Sequence, residues 1–394
     1  MNKDMLNLGK NRSIIRELFE FSKTQKEKLG ADKVYDFTLG NPSVPPHKAV
    51  DETIIELLKN ETPSSNHGYT SAPGDNEVRD VIAKDLNKRF NRNYKLSNIY
   101  MTCGAAASLC ITFKALTESK EDEILAIAPY FTEYKVFVES AGATFKLVPA
   151  DLKSFEINFT ELKKILNKNT KAIIVNSPNN PSGVVYSEKA LKELSSLLSE
   201  KEKEYGHPIY IVCDEPYREI AYDGIKVPHI PNLYKNTIIC YSYSKSLSLP
   251  GDRIGYILVP DEVTDSSDLY AACCGAGRAY GYVCAPSLFQ KVIAKCATKT
   301  SDMNEYAKNR DLLYNGLTKI GFECVYPQGA FYLFVKSPEE DANKFMEKAK
   351  KYNIVVVPSD GFGVKGYVRL AYCVSSTTII NSLPAFEELM KEYK

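Results

Sequence analysis

The chain has 394 residues, enough at roughly 150 residues per domain for two or three domains and a large core. Lys plus Arg number 50 and Asp plus Glu 49, so the net charge of +1 leaves no global field for a polyphosphate or an acidic membrane, which argues against dedicated nucleic-acid binding. Hydrophobic residues at 44% and charged residues at 25% set aside disordered and fibrous classes.

The opening stretch MNKDMLNLGKNR lacks the apolar core of a signal peptide, and runs such as ILAIAPYF are far below membrane-spanning length, so a cytoplasmic protein is expected. Strand-like apolar runs then alternate with helical patterns, the signature of βαβ units and a mainly parallel sheet covered by helices. The expected strands are IYMT (99–102), EILAIAP (123–129), TFKLVP (144–149), AIIVNSP (172–178), IYIVCDE (209–215), TIICYSYS (237–244) and IGYILVP (254–260), with helices over 75–90, 105–118 and 187–204. After about residue 290 the texture becomes that of a smaller α+β unit: a helix over 301–320, FYLFVK, a helix near 341–352, IVVVP, YVRLAYC and a last helix from about 376. No internal repeat or low-complexity segment interrupts it.

Ten cysteines are scattered without a C-x-x-C pair, and Cys273 and Cys274 are too close in sequence to bridge, so reduced thiols are expected. Cys213 and Cys240 sit in apolar strand runs, where free Cys behaves as a small hydrophobe. The four histidines, at 47, 67, 207 and 229, lack the i, i+4 spacing of a helical metal site, so no metal is expected and proton shuttling falls to another side chain.

Ligands of open parallel sheets sit beyond the carboxyl ends of the strands, so the residues closing each strand are the informative ones. After IYMT comes CGAAAS, where Gly104 permits a tight turn and Ala105 and Ala106 open a helix whose free amides suit an anion. The later strand ends carry Tyr130 and Phe131, NSPNNPSG (176–183), CDEPY (213–217) and SYSKSLSLPGDR (242–253). Singly these read as caps, turns, core aromatics or solvated charges. GAGRAYG (275–281) has the spacing G-x-G-x-x-x-G and no preceding strand, and so fails as a dinucleotide fingerprint.

Their conjunction is specific. GYTSAPGDNEVRDVIAKDL (68–86), NSPNNPSG, VCDEPY, SYSKSLSLPGDRIGY (242–256), PQGAFYLF (327–334) and GYVRLAY (366–372) resemble, in this order, the class I/II aminotransferases of the pyridoxal-phosphate fold type I, from about residue 37 to Arg369. The resemblance implies an α/β large domain with a seven-stranded, mainly parallel sheet over 46–290, a smaller α+β domain over 291–394, and a 1–45 segment packing with the small domain and a partner subunit.

It also implies roles. Lys245 looks like the Schiff-base lysine that carries pyridoxal 5'-phosphate and then moves protons, Asp214 the carboxylate facing the ring nitrogen, and Asn180 and Tyr217 the pair that hydrogen-bonds the ring oxygen. Phe131 resembles the stacking plate, and Gly104, the amides of Ala105 and Ala106, Ser242, Ser244 and Arg253 the phosphate cradle. Here AAA stands where many relatives carry Ser, Thr or Lys, so backbone amides must serve. Tyr69 would reach the phosphate of a neighbouring subunit, implying a homodimer with shared sites.

Arg369 matches the arginine that grips the substrate's α-carboxylate, and an arginine inside an apolar strand needs an anion in any case. Gly40 resembles the glycine lining that pocket, and Phe331 and Tyr332 are expected near the substrate, with core packing an equal reading of Tyr332. Arg278 either pairs with a distal carboxylate or serves a helix cap or a dimer contact, and Tyr280 and Tyr282 beside it would equally suit an aromatic or aliphatic side chain. The expected activity is transfer of the amino group of an aspartate-like or broad range of L-amino acids to a 2-oxo acid. The alternative is β-elimination by a C–S lyase on the same scaffold.

Overall fold

The computed structural model describes residues 1–10 and 13–394. Contacts divide the chain into two compact units. The smaller comprises Met1–Ser43, Asn180–Gly183 and Met303–Lys394, and the larger Val44–Asn179 and Val184–Asp302. In chain order the strands are β1 (Tyr35–Asp36), β2 (Ile99–Thr102), β3 (Glu123–Ile127), β4 (Thr144–Val148), β5 (Thr170–Asn176), β6 (Tyr210–Asp214), β7 (Thr237–Ser242), β8 (Gly255–Leu258), β9 (Cys324–Val325), β10 (Tyr332–Lys336), β11 (Ile354–Val355), β12 (Val357–Pro358) and β13 (Tyr367–Ala371).

All seven expected strands of the larger unit form one sheet, ordered β2-β8-β7-β6-β5-β3-β4. β8 alone runs against the rest, pairing antiparallel with β2 and β7. The strands read as continuous apolar runs because both faces are covered. Tyr100, Ile124, Ile174, Val212, Ile238 and Ile257 are buried with Phe113 and Leu109 of helix Ala105–Leu116 and Val138 of helix Glu133–Ala141. Each such side chain contributes roughly 1.5–3 kcal/mol by leaving water.

Helix ends follow side-chain chemistry. Asp75 accepts from the Glu77 amide at 2.8 Å to start helix Asn76–Phe90, and Asn91 ends it in the left-handed region at φ 53°. GAGRA lies inside helix Ser266–Ala279, where a Cβ on Gly277 would come within 2.1 Å of the Tyr100 hydroxyl. That glycine serves close packing of helix on sheet, a physical reason for the motif that is unrelated to nucleotides.

The smaller unit holds the antiparallel sheet β12-β13-β10-β9 and a separate parallel pair, β1 with β11. The run IVVVP, read as one strand, splits at Val356 because its two halves join different sheets. Helices Asn304–Ile320 and Ser376–Lys391 pack together, and Phe37 and Phe322 both meet the ring of Phe386.

Candidate active site

In the larger unit the carboxyl ends of β5, β6 and β7 lie side by side, with Asn176 in register with Asp214 and Asp214 with Cys240. The Asn176 amide side chain donates to the Asp214 carbonyl at 2.8 Å and fixes that end. β8, running the other way, starts where β7 stops, with Ser242 opposite Gly255 and Thr102 of β2 also opposite Gly255. This reversal carries Arg253 to the same end of the sheet as Gly104.

Space there is set by glycine. A Cβ on Gly255 would stand 2.2 Å from the Tyr241 carbonyl oxygen, and one on Gly104, at φ 88°, would stand 2.8 Å from Arg253 Nη2. The guanidinium therefore lies against the first turn of the twelve-residue helix Ala105–Leu116 and adds its charge to the helix's free amides. Ala105 is buried and Ala106 half-buried. Arg253 Nη1 donates to the Pro250 carbonyl at 2.8 Å and reaches Ser244 Oγ at 3.5 Å, while Ser242 and Ser244 share a 2.7 Å hydroxyl contact. The Ser242 hydroxyl also accepts from the Ser244 amide and caps the single turn Tyr243–Ser246, which presents the half-buried Lys245.

Asp214 closes β6 at 5% exposure. Its Oδ2 accepts from the Tyr134 hydroxyl, and its Oδ1 is buried with no hydrogen-bond partner. Burial pushes the carboxyl up to about 7, the Tyr134 bond pulls it down, and Glu215 raises it again. Phe131 meets Tyr134 edge-on at 5.6 Å, and Tyr217 is buried nearby in sequence. Sequence reasoning did not single out Tyr134; its position one helical turn after Phe131 was the available signal.

Behind this end lies a second feature that the sequence reading missed. Arg218 donates from Nη1 to Glu215 at 2.8 Å, from Nη2 to the Tyr256 hydroxyl at 2.8 Å and from Nε to Glu219 at 3.3 Å, and stacks over Tyr241 at 4.2 Å. Glu219 also accepts from Arg89 and from Tyr241, whose hydroxyl meets Ser246 Oγ at 2.9 Å.

The smaller unit brings together Asn180, Arg369, Gly40, Phe331 and Tyr332. Arg369, 2% exposed in the middle of β13, donates from Nη1 to Asn180 Oδ1 at 3.1 Å and from Nη2 to the Thr38 carbonyl at 2.6 Å. Its guanidinium lies 4.5 Å over the Tyr332 ring and 5.1 Å from the Phe362 ring, and its Nε is buried without a partner. A Cβ on Gly40 would overlap the Tyr332 hydroxyl, so glycine is required there. The loop carrying Asn180 is held by the Gly183 carbonyl, which accepts from the amides of Gln328 and Gly329 at 2.8 and 2.9 Å. Phe331 is fully buried and packs on Tyr306 and Tyr332.

Two expected site residues stand apart. Tyr69 is 87% exposed, and Arg278 is exposed in the last turn of helix Ser266–Ala279. Among the described residues no group of His, Cys, Asp or Glu could hold a metal ion, and no helix is long and apolar enough to cross a membrane.

The family described as aminotransferase class I and II matches residues 32–383. The chain is 56% identical to an aminotransferase of Eubacterium rectale whose crystal structure superposes with a TM-score of 0.98, covering 100% of this chain and 99% of that one. It is 30% identical to a probable aspartate aminotransferase of Methanocaldococcus jannaschii over 96% of this chain and 97% of the relative. It is 27% identical to aromatic-amino-acid aminotransferase 2 of Thermococcus litoralis over 98% and 97%. With the seven-stranded sheet and the strand-end residues arranged as described, the chain belongs to the class I and II aminotransferases, enzymes of fold type I that transfer amino groups.

Proposed function

We propose that the protein binds pyridoxal 5'-phosphate in the larger unit and moves the amino group of an acidic or broad range of L-amino acids to a 2-oxo acid. The observation that carries the cofactor reading is Asp214 Oδ1, a buried acceptor without a partner on a carboxyl that burial drives toward protonation. A cationic ring nitrogen at that oxygen would restore the charged form. Gly104, Arg253, Ser242, Ser244 and the amides of Ala105 and Ala106 would hold the dianionic phosphate, Phe131 would cover the ring, and Asn180 and Tyr217 would hydrogen-bond its oxygen.

When bound, the cofactor supplies an electron sink for the electrons of the substrate's Cα–H bond. Lys245 would hold the cofactor covalently, and its amine, when free, would take up the substrate's Cα proton as general base and give it back as general acid. Asp214 would keep a proton on the ring nitrogen. Arg369 fixes the substrate's α-carboxylate through a forked pair of N–H groups, and Gly40 leaves room for it. That grip reads only what all amino acids share, so side-chain preference falls to other residues. The relatives named for aspartate and for aromatic amino acids support an acidic or broad donor.

The reading includes a cytoplasmic homodimer in which Tyr69, an exposed aromatic, reaches the partner's phosphate, and in which Arg278 faces the distal end of an acidic substrate. The deciding experiment mixes the purified yellow enzyme with single amino acids and no acceptor. One equivalent of oxo acid per subunit with loss of the cofactor's visible band supports transamination. Continuing ammonia release without band loss would make it a lyase. Lys245→Ala should lose both the band and turnover, and retention of either removes the lysine from its role.

A further inference from the structure

Asp36, at the end of β1, spends its whole hydrogen-bonding capacity on one neighbour and on the helix behind it. Its Oδ2 accepts from the Ser22 hydroxyl at 2.7 Å and from Lys26 Nζ at 3.0 Å. Its Oδ1 accepts from the Thr38 amide at 3.0 Å and from the Thr38 hydroxyl at 2.6 Å. Ser22 and Lys26 stand one turn apart on helix Ile14–Leu29 and so share a face. Ser22 and Thr38 have no exposed surface, and the Asp36 side chain exposes only 10%. Burial works to raise the Asp36 carboxyl, but the Thr38 and Ser22 hydroxyls, the Thr38 amide and Lys26 outweigh it and hold it below the usual carboxylate range.

Thr38 is thereby fixed at both its amide and its side chain. The residue before it is held too, since the Phe37 amide donates to the Val355 carbonyl at 3.0 Å and its carbonyl accepts from the Ala371 amide at 2.9 Å. The one group Thr38 turns elsewhere is its carbonyl, which accepts from Arg369 Nη2 at 2.6 Å. With Asn180 on Nη1, this carbonyl on Nη2 and aromatic rings beside the guanidinium plane, the buried Nε is the guanidinium nitrogen left without a hydrogen-bond partner.

We infer that Asp36 is a positioning residue for substrate recognition: with Ser22 and Lys26 it locks Thr38, whose carbonyl occupies one Nη2 proton of Arg369 and aims the Nε side of the guanidinium at the incoming carboxylate. This rests on the reading of Arg369 as the α-carboxylate site. Because both substrates carry that carboxylate, a loosened lock weakens the amino donor and the oxo acid together and leaves the later proton transfers alone.

The test uses the holoenzyme with Asp36→Asn, Thr38→Val and, as the conservative control, Thr38→Ser, beside Arg369→Lys. Steady-state kinetics are measured with one amino donor and 2-oxoglutarate, and inhibition with unreactive succinate. Asp36→Asn and Thr38→Val should raise both KM values and the succinate Ki about tenfold. The kcat should stay within about twofold, the cofactor band should be unchanged, and Thr38→Ser should behave as wild type. Lower melting temperature with unchanged KM and Ki would overturn the inference and reduce Asp36 to a structural residue. If Arg369→Lys raises KM and Ki while Asp36→Asn does not, the positioning role alone fails. If Arg369→Lys also leaves them unchanged, the carboxylate site itself fails.

Discussion

Arg218 in the larger unit and Arg369 in the smaller one are both buried, at 7% and 2% exposure, yet they are surrounded in opposite ways. Arg218 has two carboxylates, a tyrosine hydroxyl and an aromatic face, so its charge and its donors are answered within the protein. Arg369 has one carbonyl and one amide oxygen, an unpartnered Nε and no ion pair among the described residues. Burying an uncompensated cation is costly, and under the proposed function the substrate's carboxylate would offset that cost at Arg369. A buried charge that is saturated builds the scaffold, and one that is left short is a candidate ligand site.

The comparison is tested most strongly at Arg369. Arg369→Met should lower kcat/KM by about 10²–10⁴, the equivalent of two charge-assisted hydrogen bonds at roughly 1.5–3 kcal/mol each. Stability should change by no more than about 1 kcal/mol, because no protein carboxylate is stranded. Thermal unfolding beside steady-state kinetics separates the two quantities, and a large loss of stability with near-normal kinetics would make Arg369 a second Arg218.

Arg218→Met should do the reverse. Removing it leaves Glu215 and Glu219 buried beside each other, a cost of about 3–5 kcal/mol, and adding Glu215→Gln should recover part of it. A drop of under about 1 kcal/mol for the single variant would show that the network is not structural in this sense.

Asp214 extends the contrast to an acid. In the cofactor-free protein its carboxyl titrates at about 7, above the unfolded value near 3.9, so the folded state keeps a proton that the unfolded chain has lost. Its contribution to stability is complete below about pH 4 and is lost as pH rises from there to 7, on the order of 4 kcal/mol. The cofactor-free enzyme should therefore fall in melting temperature between pH 5 and 8 more steeply than Asp214→Asn, and cofactor should flatten the wild-type slope. Parallel slopes for the two proteins would reject the assignment.

The larger sheet was legible because its strands are buried on both faces: IYMT, IYIVCD and TIICYS are apolar from end to end, and the rule that strand ends carry the ligand leads from them to Gly104, Asp214 and Lys245. The two-residue strands β1, β9, β11 and β12 were not legible one by one, since so few residues show no period. Helix Ser266–Ala279 hid behind its glycines, one of which serves packing against Tyr100. Tyr134, Arg218 and Asp36 escaped for a common reason. Their meaning lies in partners such as Asp214, Tyr256 and, through Thr38, Arg369, which only the folded chain brings within reach.

Ser248 probes whether every unanswered buried atom marks a ligand. It lies three residues past Lys245, with a buried hydroxyl lacking a hydrogen-bond partner, like Asp214 Oδ1 and Arg369 Nε, but its backbone is at φ 56°. Side chains with a Cβ adopt that conformation at a cost of about 1–2 kcal/mol, which glycine avoids while losing about 0.5–1 kcal/mol of chain entropy. Deleting the hydroxyl also removes an unsatisfied polar group. Ser248→Gly should therefore stabilise the protein by about 1 kcal/mol and leave turnover and cofactor affinity unchanged. A loss of cofactor affinity without a loss of stability would place the hydroxyl with Asp214 and Arg369 among the groups that wait for a ligand.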